Sequence, residues 1–364
     1  MKQDRTWKNR WAGRLARIGY GVGILGYFTI TAGAGTVNIE KIEYQGWQNC
    51  YRMSNGEVEL IAVADVGPRL IHFGFVGGPN VLYVDASTVG KTGGDNWVSY
   101  GGHRLWVAPE LVEVTYYPDN FPVDVEIAGN KLILTAPPEV TDPALRAQYQ
   151  SRQEILEQME DPAFRKSVKF IKQMIVTMSG TGEVTIEHKI TNGGLKTESI
   201  APWALSVMTA GGIGIFSTPP YAPHGPGHFL PEQALQIWSY TDLTDPRLKF
   251  MKKYITFRQD PAADKPIKFG FSQTQGWAGY ALGDQLFVKK LDYYPSETYP
   301  DMGASVEIFT NQEMMEIESL GPLVNLKPGE TTCHRERWQL FRITPVSQTE
   351  ESLDRAILPL NLGS

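Results

Sequence analysis

The sequence predicts an all-β protein with two large packed sheets, on three observations. From residue 40 onward apolar residues recur with period two in short runs, not with the 3.6-residue period of amphipathic helices. Gly, Pro and Asn separate those runs at short intervals. Asn55-Gly56 lies between two of them, the dipeptide that most readily supplies two positive φ angles to a type I′ hairpin turn.

Taken in order, strands are expected at 50–54 and 57–64 around that turn, then at 69–75, 80–85, 123–127, 131–136, 168–178, 184–192 and 200–208. They continue at 254–258, 276–282, 285–291, 305–310, 314–320 and 336–344, with Gly129-Asn130 and Gly283-Asp284 among the turns. One segment breaks the rhythm. Residues 142–166 are rich in Ala, Gln, Glu, Leu and Arg and predict a helical insertion, either a lid or a surface excursion. Asp142-Pro143 reads as an N-cap with proline in the first helical position, and Pro162 as the stop. No repeat of 20 to 50 residues is visible, and 37–364 reads as one continuous domain.

The 364 residues include 42% hydrophobic side chains, which excludes disorder and collagen-like repetition. Two cysteines, Cys50 and Cys333, cannot build a disulfide framework or a multi-cysteine metal site. Six of the 34 bases and one of the 40 acids fall in residues 1–17, net +5, which leaves −11 for the remainder. An acidic body without a basic stripe cannot neutralise several phosphates, so nucleic acid is excluded as a partner.

No charge occurs between Arg17 and Glu40, and an apolar run over 18–30 precedes Ala32-Gly33-Ala34. A basic flank, an apolar stretch and an A-x-A site predict an export signal over 1–36, cleaved after Ala34. The competing reading is an uncleaved membrane anchor, since 22 uncharged residues are long enough to span. The protein is therefore expected in the periplasm or outside the cell, or tied to the membrane by this segment alone. Export would permit a Cys50 to Cys333 bridge.

The common catalytic signatures are absent: there is no G-x-S-x-G, no G-x-x-x-x-G-K-[ST], no H-E-x-x-H and no G-x-G-x-x-G opening a βαβ unit. No metal or cofactor is indicated. Three polar clusters remain. In Tyr100-Gly-Gly-His103-Arg104-Leu-Trp106, paired glycines allow close backbone approach, and a His, an Arg and a Trp follow. A sugar offers hydroxyls at its rim and C–H groups on its faces, which hydrogen-bonding and aromatic side chains match together. In Met315-Glu316-Ile-Glu318-Ser-Leu320 two carboxylates alternate with apolar residues and project from one face of a strand. Enclosed, such a carboxylate is a candidate general base; facing water, it is only the polar side of a strand. Tyr221-Ala-Pro-His224-Gly-Pro-Gly-His228 is a Pro- and Gly-rich loop, where i, i+4 histidines do not converge on a metal but suit a pocket wall. His72 and His188, in strands among apolar neighbours, read as structural.

Residues 55–75 with Asp65-Val-Gly67, then Asn80-Val-Leu-Tyr83, Thr191-Asn192, Ala201-Pro-Trp203 and Glu316-Ile-Glu318-Ser-Leu-Gly-Pro322 with Pro328-Gly329-Glu330, resemble in order the galactose mutarotase-like (aldose 1-epimerase-like) superfamily. The resemblance spans residues 39 to about 343 and is nearest an uncharacterised bacterial branch. It implies a β-supersandwich whose concave sheet binds a mono- or oligosaccharide, with Glu318 as base and His103 moving the second proton. Arg104 would bind substrate, and Trp106, Trp203, Arg69, Glu316, His224 and His228 would line the site. Where the family carries H-x-Y-F this chain has Trp203-Ala-Leu-Ser206, so the second histidine is missing there. For Arg69 and Arg104, surface ion pairing is the alternative use.

Three readings stay open: a sugar epimerase acting by acid/base chemistry, a noncatalytic carbohydrate-binding protein of the envelope, and a structural or partner-binding sandwich.

Overall fold

Alternation of apolar and polar residues directs every second side chain to the same side of a strand. In the computed structural model of the chain, which describes residues 35–149, 151–272 and 275–362, that pattern builds two antiparallel sheets. The eleven-stranded first sheet runs Asn38–Tyr44, Trp47–Ser54, Val58–Val63, Arg69–Phe75, His103–Ala108, Glu198–Met208, Met315–Leu320, Val306–Thr310, Ile267–Phe271, Leu235–Ile237, with Val324–Leu326 also paired to Glu198–Met208. The ten-stranded second sheet runs Leu248–Phe250, Tyr254–Arg258, Ile213–Ser217, Trp277–Leu282, Gln285–Leu291, Thr331–Arg342, Val184–Asn192, Phe170–Met178, Lys131–Thr135, Asp124–Ala128.

The sheets pack face to face over one apolar core, in which Phe73 of the first sheet meets Phe287 and Trp338 of the second at ring separations of 6.1 and 5.6 Å. Phe170–Met178 and Val184–Asn192 alternate buried and half-buried residue by residue, as expected of strands with one face on the core and one toward water. At the centre of the first sheet the pattern differs. His103–Ala108 and Met315–Leu320 are buried at every position, and Glu198–Met208 from Ile200 onward. Both faces of this sheet are covered there, so polar side chains on its outward face are enclosed.

Of the predicted strands, only 80–85 is not one: Leu82 and Val84 make isolated bridges to Met208 and Gly101. Seven further strands were not expected; His103–Ala108 and Ile267–Phe271 are buried on both faces and so lack the alternating signature. The hairpin at Asn55-Gly56 forms, but not as type I′. Gly56 alone of the two has positive φ (+91°), while the Asn55 side chain accepts the N–H groups of Glu57 and Val58 at 3.0 and 2.9 Å.

The insertion is helical as three short pieces, Pro143–Arg146, Arg152–Gln158 and Pro162–Arg165. Asp142 caps the first as expected, whereas Pro162 opens the third behind an Asp161 cap instead of closing a single helix. Cys50 and Cys333, one in each sheet, are both free, so the bridge that export would permit is not formed. The leader lies outside the described residues as far as residue 34, and no described helix is long and apolar enough to cross a membrane.

Candidate functional site

Strand register assembles a cluster on the outward face of the first sheet. In the central strand Trp203 lies opposite Trp106 on one side and Leu320 on the other, and Leu205 lies opposite Arg104 and Glu318. One strand further, Glu318 faces Glu307 directly, and Lys268 reaches in from the strand beyond. Of the predicted residues, Arg104, Trp106, Trp203, Glu316 and Glu318 are thus brought together. Glu316 and Glu318 project from one face as expected, and the face is enclosed.

The Trp203 indole donates from Nε1 to Glu318 Oε2 at 2.8 Å, while Glu318 Oε1 is buried with no hydrogen-bond partner. The Lys268 ammonium lies 2.8 Å from Glu307 and 3.5 Å from Glu318, and 4.7 Å from the ring centroids of both Trp203 and Trp238. Burial pushes the Glu318 carboxyl up, and burial together with the Glu318 charge pushes Glu307 up well beyond the ordinary carboxylate range. Burial works against the charge on Lys268, but the two carboxylates outweigh it and raise its pKa. Lys268 favours the charge of both carboxylates, but Glu307 is pushed up further and Glu318 alone receives the Trp203 N–H, so Glu318 is the better-stabilised anion of the pair.

Around this pair Arg104 donates to Glu316 at 2.8 Å and stacks 4.3 Å over Trp106, while its Nε and Nη1 have no partner. Trp106, Trp97 and Tyr116 meet edge to face at 5.0 to 5.6 Å, and the indole N–H groups of Trp97 and Trp106 are also unpartnered. Tyr240, about half exposed, feels the charges of Lys268, Glu318, Glu110 and Glu307, and burial pushes its hydroxyl up to about 12. The arrangement offers aromatic faces, unused donors, unpartnered carboxylate oxygens on both Glu318 and Glu307, and two carboxyls of raised pKa.

His103 is not part of it. Its side chain points between the sheets, where Nε2 lies 2.7 Å from His188 Nε2 and Nδ1 lies 2.9 Å from Ser206 Oγ. The expected pairing of Glu318 with the His103 imidazole is therefore corrected: consecutive positions on a strand face opposite sides, and Glu318 takes the other one. His103 belongs to a fully enclosed network with His188, His334, Glu336 and Lys289. His188 Nδ1 must donate to the His334 carbonyl (3.3 Å), so its Nε2 accepts and His103 Nε2 donates. His188 and His334 are held at about 4 by burial, and His103 is lowered well below the ordinary value for the same reason.

Glu336 accepts from Ser319 and from Trp338 Nε1 (2.8 Å) and pairs with Lys289 Nζ at 2.9 Å. Burial works to raise its pKa, but Lys289 and then the three histidines bring it far below the usual carboxylate range. His103, His188 and Glu336 place their ligand atoms within 4.8 Å of one another, close enough to bracket a metal ion. The donor set fits one poorly. Hydrogen bonds already use every ring nitrogen of His103 and His188, and a cation would share Glu336 with an ammonium.

Two further expectations are corrected. Arg69 is neither open to a ligand nor on the surface: fully buried, it donates to Asp119 Oδ2 and the Gly101 carbonyl at 2.6 Å each. It lacks a surface partner because the whole strand is covered. Arg104 likewise makes a buried ion pair, not a surface one. His224 and His228 sit in an exposed loop and meet Phe229 and Glu232 of that loop, at 5.3 Å and 3.3 Å.

Lys268 and Glu307 were missed. Each is a single charge in an otherwise apolar strand, IKFGF and VEIFT, and that isolation was the available signal. The paired glycines do permit close approach. Gly101 and Gly102 have φ of +79° and +71°, and a Cβ on them would lie 2.3 Å from the Tyr83 and Leu70 carbonyl oxygens.

No family model matches the chain, and no curated protein matches it in sequence. Among solved structures, a protein from Synechocystis is 12% identical, with 83% of this chain and 99% of that one covered and a TM-score of 0.48. A galactose mutarotase-like protein from Clostridium acetobutylicum is 10% identical, covering 85% and 99%, TM-score 0.46. Another from Lactobacillus casei is 9% identical, covering 84% and 100%, TM-score 0.45. At such identities the likeness concerns the fold alone, and no residue role rests on it. Galactose mutarotase-like proteins are thus among the solved structures that this chain is similar to, at TM-scores below 0.5.

Proposed function

We propose that the outward face of the first sheet is a carbohydrate site in which Glu318 and Glu307 interconvert sugar anomers by acid/base chemistry. The observation that carries this reading is the carboxylate pair around Lys268, with one Glu318 oxygen left unused inside an aromatic enclosure. Opening a hemiacetal requires a base for the anomeric hydroxyl proton and an acid for the ring oxygen. Ionised Glu318 takes the proton from O1 and protonated Glu307 gives one to O5 as the C1–O5 bond breaks. The aldehyde rotates about C1–C2, and closure returns both protons. Each group in such a role contributes about 10² to 10⁴ in rate. Trp203 and Trp106 supply apolar faces for the ring, and Arg104 the donors for its hydroxyls.

The test is α/β exchange of free aldoses followed by NMR. Faster exchange with the protein than without it, lost in Glu318→Gln, is the expected result; unchanged exchange overturns the reading.

A second reading, sugar binding without turnover, is favoured by the complete burial of Glu318 and by Lys268 occupying the space between the carboxylates. Binding with no rate enhancement selects it. The basic and then apolar order of residues 1–34 supports an exported or membrane-anchored setting, which the N-terminal sequence of the mature protein tests.

A further inference from the structure

A cavity of about 540 Å³ lies between the helical insertion and the loop 117–124, with a volume in the range of small-molecule sites. Its charged walls are balanced. Arg146 pairs with Asp95, Arg152 with Asp124 at 2.8 Å, and Lys172 with Glu139 at 2.8 Å, the last pair with both side chains almost fully buried. A fourth acid, Asp119, is neutralised from outside the cavity by Arg69 at 2.6 Å. No lining charge is left over to attract an anion or a cation.

Three polar atoms of lining residues are left over. Asp119 Oδ1 and Asn120 Oδ1 are buried without a donor, and Arg152 Nε is buried without an acceptor. A carboxylate oxygen, an amide oxygen and a guanidinium N–H in one cavity call for a ligand that both donates and accepts, as hydroxyl groups do. The remaining walls are mostly apolar, with Thr92, Asn120 and Ser151 among them, and include the rings of Phe121 and Tyr149. Phe121 is held by the Arg146 guanidinium 4.7 Å over it, and Tyr149 is set edge-on against Phe164 at 5.5 Å. Fixed aromatic faces beside an unpaired donor and acceptor, with no net charge, match a neutral polyhydroxylated ring.

We propose that this cavity is a second binding site, for a neutral saccharide, anchored by Asp119 and Arg152 and walled by Phe121 and Tyr149. The helical insertion is then a wall of a binding site and not a surface excursion. The site is separate from the Glu318 cluster, and the inference takes from the carbohydrate reading only the class of ligand. The two regions adjoin along the chain: Tyr116 packs on Trp106 while Tyr117 lines the cavity, and Asp119 holds Arg69, whose strand neighbour is Arg104.

The experiment is calorimetric titration of the full chain with maltose, cellobiose and lactose, and with uronate- and phosphate-bearing sugars, for wild type, Arg152→Ala, Phe121→Ala and Glu318→Gln. Arg152 is partly exposed and its partner Asp124 largely so; losing that pair costs little stability, and thermal melts confirm that each variant is folded. The expected result is neutral-disaccharide binding that falls about tenfold in Arg152→Ala and in Phe121→Ala, the scale of a lost hydrogen bond to a charged group, and persists in Glu318→Gln. Binding that disappears in Glu318→Gln and is unchanged in both cavity variants overturns the proposal while leaving the Glu318 site standing. No neutral-sugar binding at millimolar concentration, or at least tenfold tighter binding of the anionic sugars, also overturns it. Anomer exchange, measured separately on the same variants, reports on the Glu318 site alone.

Discussion

Glu318 and His103 sit on opposite faces of one sheet, one position out of step. Glu318 lies opposite Leu205 of the central strand, and His103 opposite the next residue, Ser206. Because successive side chains alternate, one looks outward to Lys268 and the other inward to His188. Glu318→Gln is therefore expected to abolish anomer exchange by about 10²-fold or more at unchanged stability class, whereas His103→Gln lowers the melting temperature and leaves the exchange pH profile in place. NMR exchange rates and thermal melts on both variants check this.

Trp203 presents its indole N–H to Glu318 and its ring to Lys268. Trp203→Phe keeps an aromatic face but removes the donor, so the Glu318 carboxylate loses a bond that favours its ionised form. The acid limb of the exchange profile should move to higher pH, with sugar affinity reduced only a few-fold. An unmoved acid limb would sink the assigned role of the indole.

Lys268 is the cation that the two carboxylates share. In Lys268→Met the ionised form of each loses its main stabiliser, so both Glu318 and Glu307 titrate at still higher pH than in the native protein. Exchange at pH 6 should fall and recover as pH rises. A profile superposable on wild type would contradict the shared-cation description.

The interior network makes the fold sensitive to acid. His188 and His334 are held at about 4 against an ordinary value of 6.5, so the unfolded chain takes up their protons first as pH falls. Stability is complete above pH 6.5 and declines from there to about 4, by on the order of 3 kcal/mol per histidine. Glu336, depressed in the folded state, acts with the same sign: its contribution is present above the ordinary carboxylate pKa and lost below it. Urea unfolding between pH 8 and 4 should show this loss; a flat profile would count against neutral histidines in the core.

Lys289 and Glu336 are both completely buried and 2.9 Å apart. Lys289→Met strands a carboxylate in the core and is expected to cost about 3 to 5 kcal/mol. Adding Glu336→Gln removes the stranded charge and should recover part of that loss, read from the denaturation midpoints of the single and double variants.

The two-sheet architecture, most of its strands and the coplanar carboxylates Glu316 and Glu318 were legible from local pattern, because period-two alternation is a property of neighbouring residues. So was the Asp142-Pro143 helix start, which depends on one side chain and the next few N–H groups. Strands buried on both faces were not legible: with His103–Ala108 enclosed from two sides, nothing alternates. Nor was the partner of Glu318. The companions of a strand residue are set by which strands become neighbours and in what register, and those strands come from distant parts of the chain. Trp203, Glu307 and Lys268 meet Glu318 only because their strands lie side by side in the sheet, and a register shift of one residue would have exchanged them all for the histidines on the other side. The sequence supplied the chemical groups, and the sheet's order of strands chose which of them share a face.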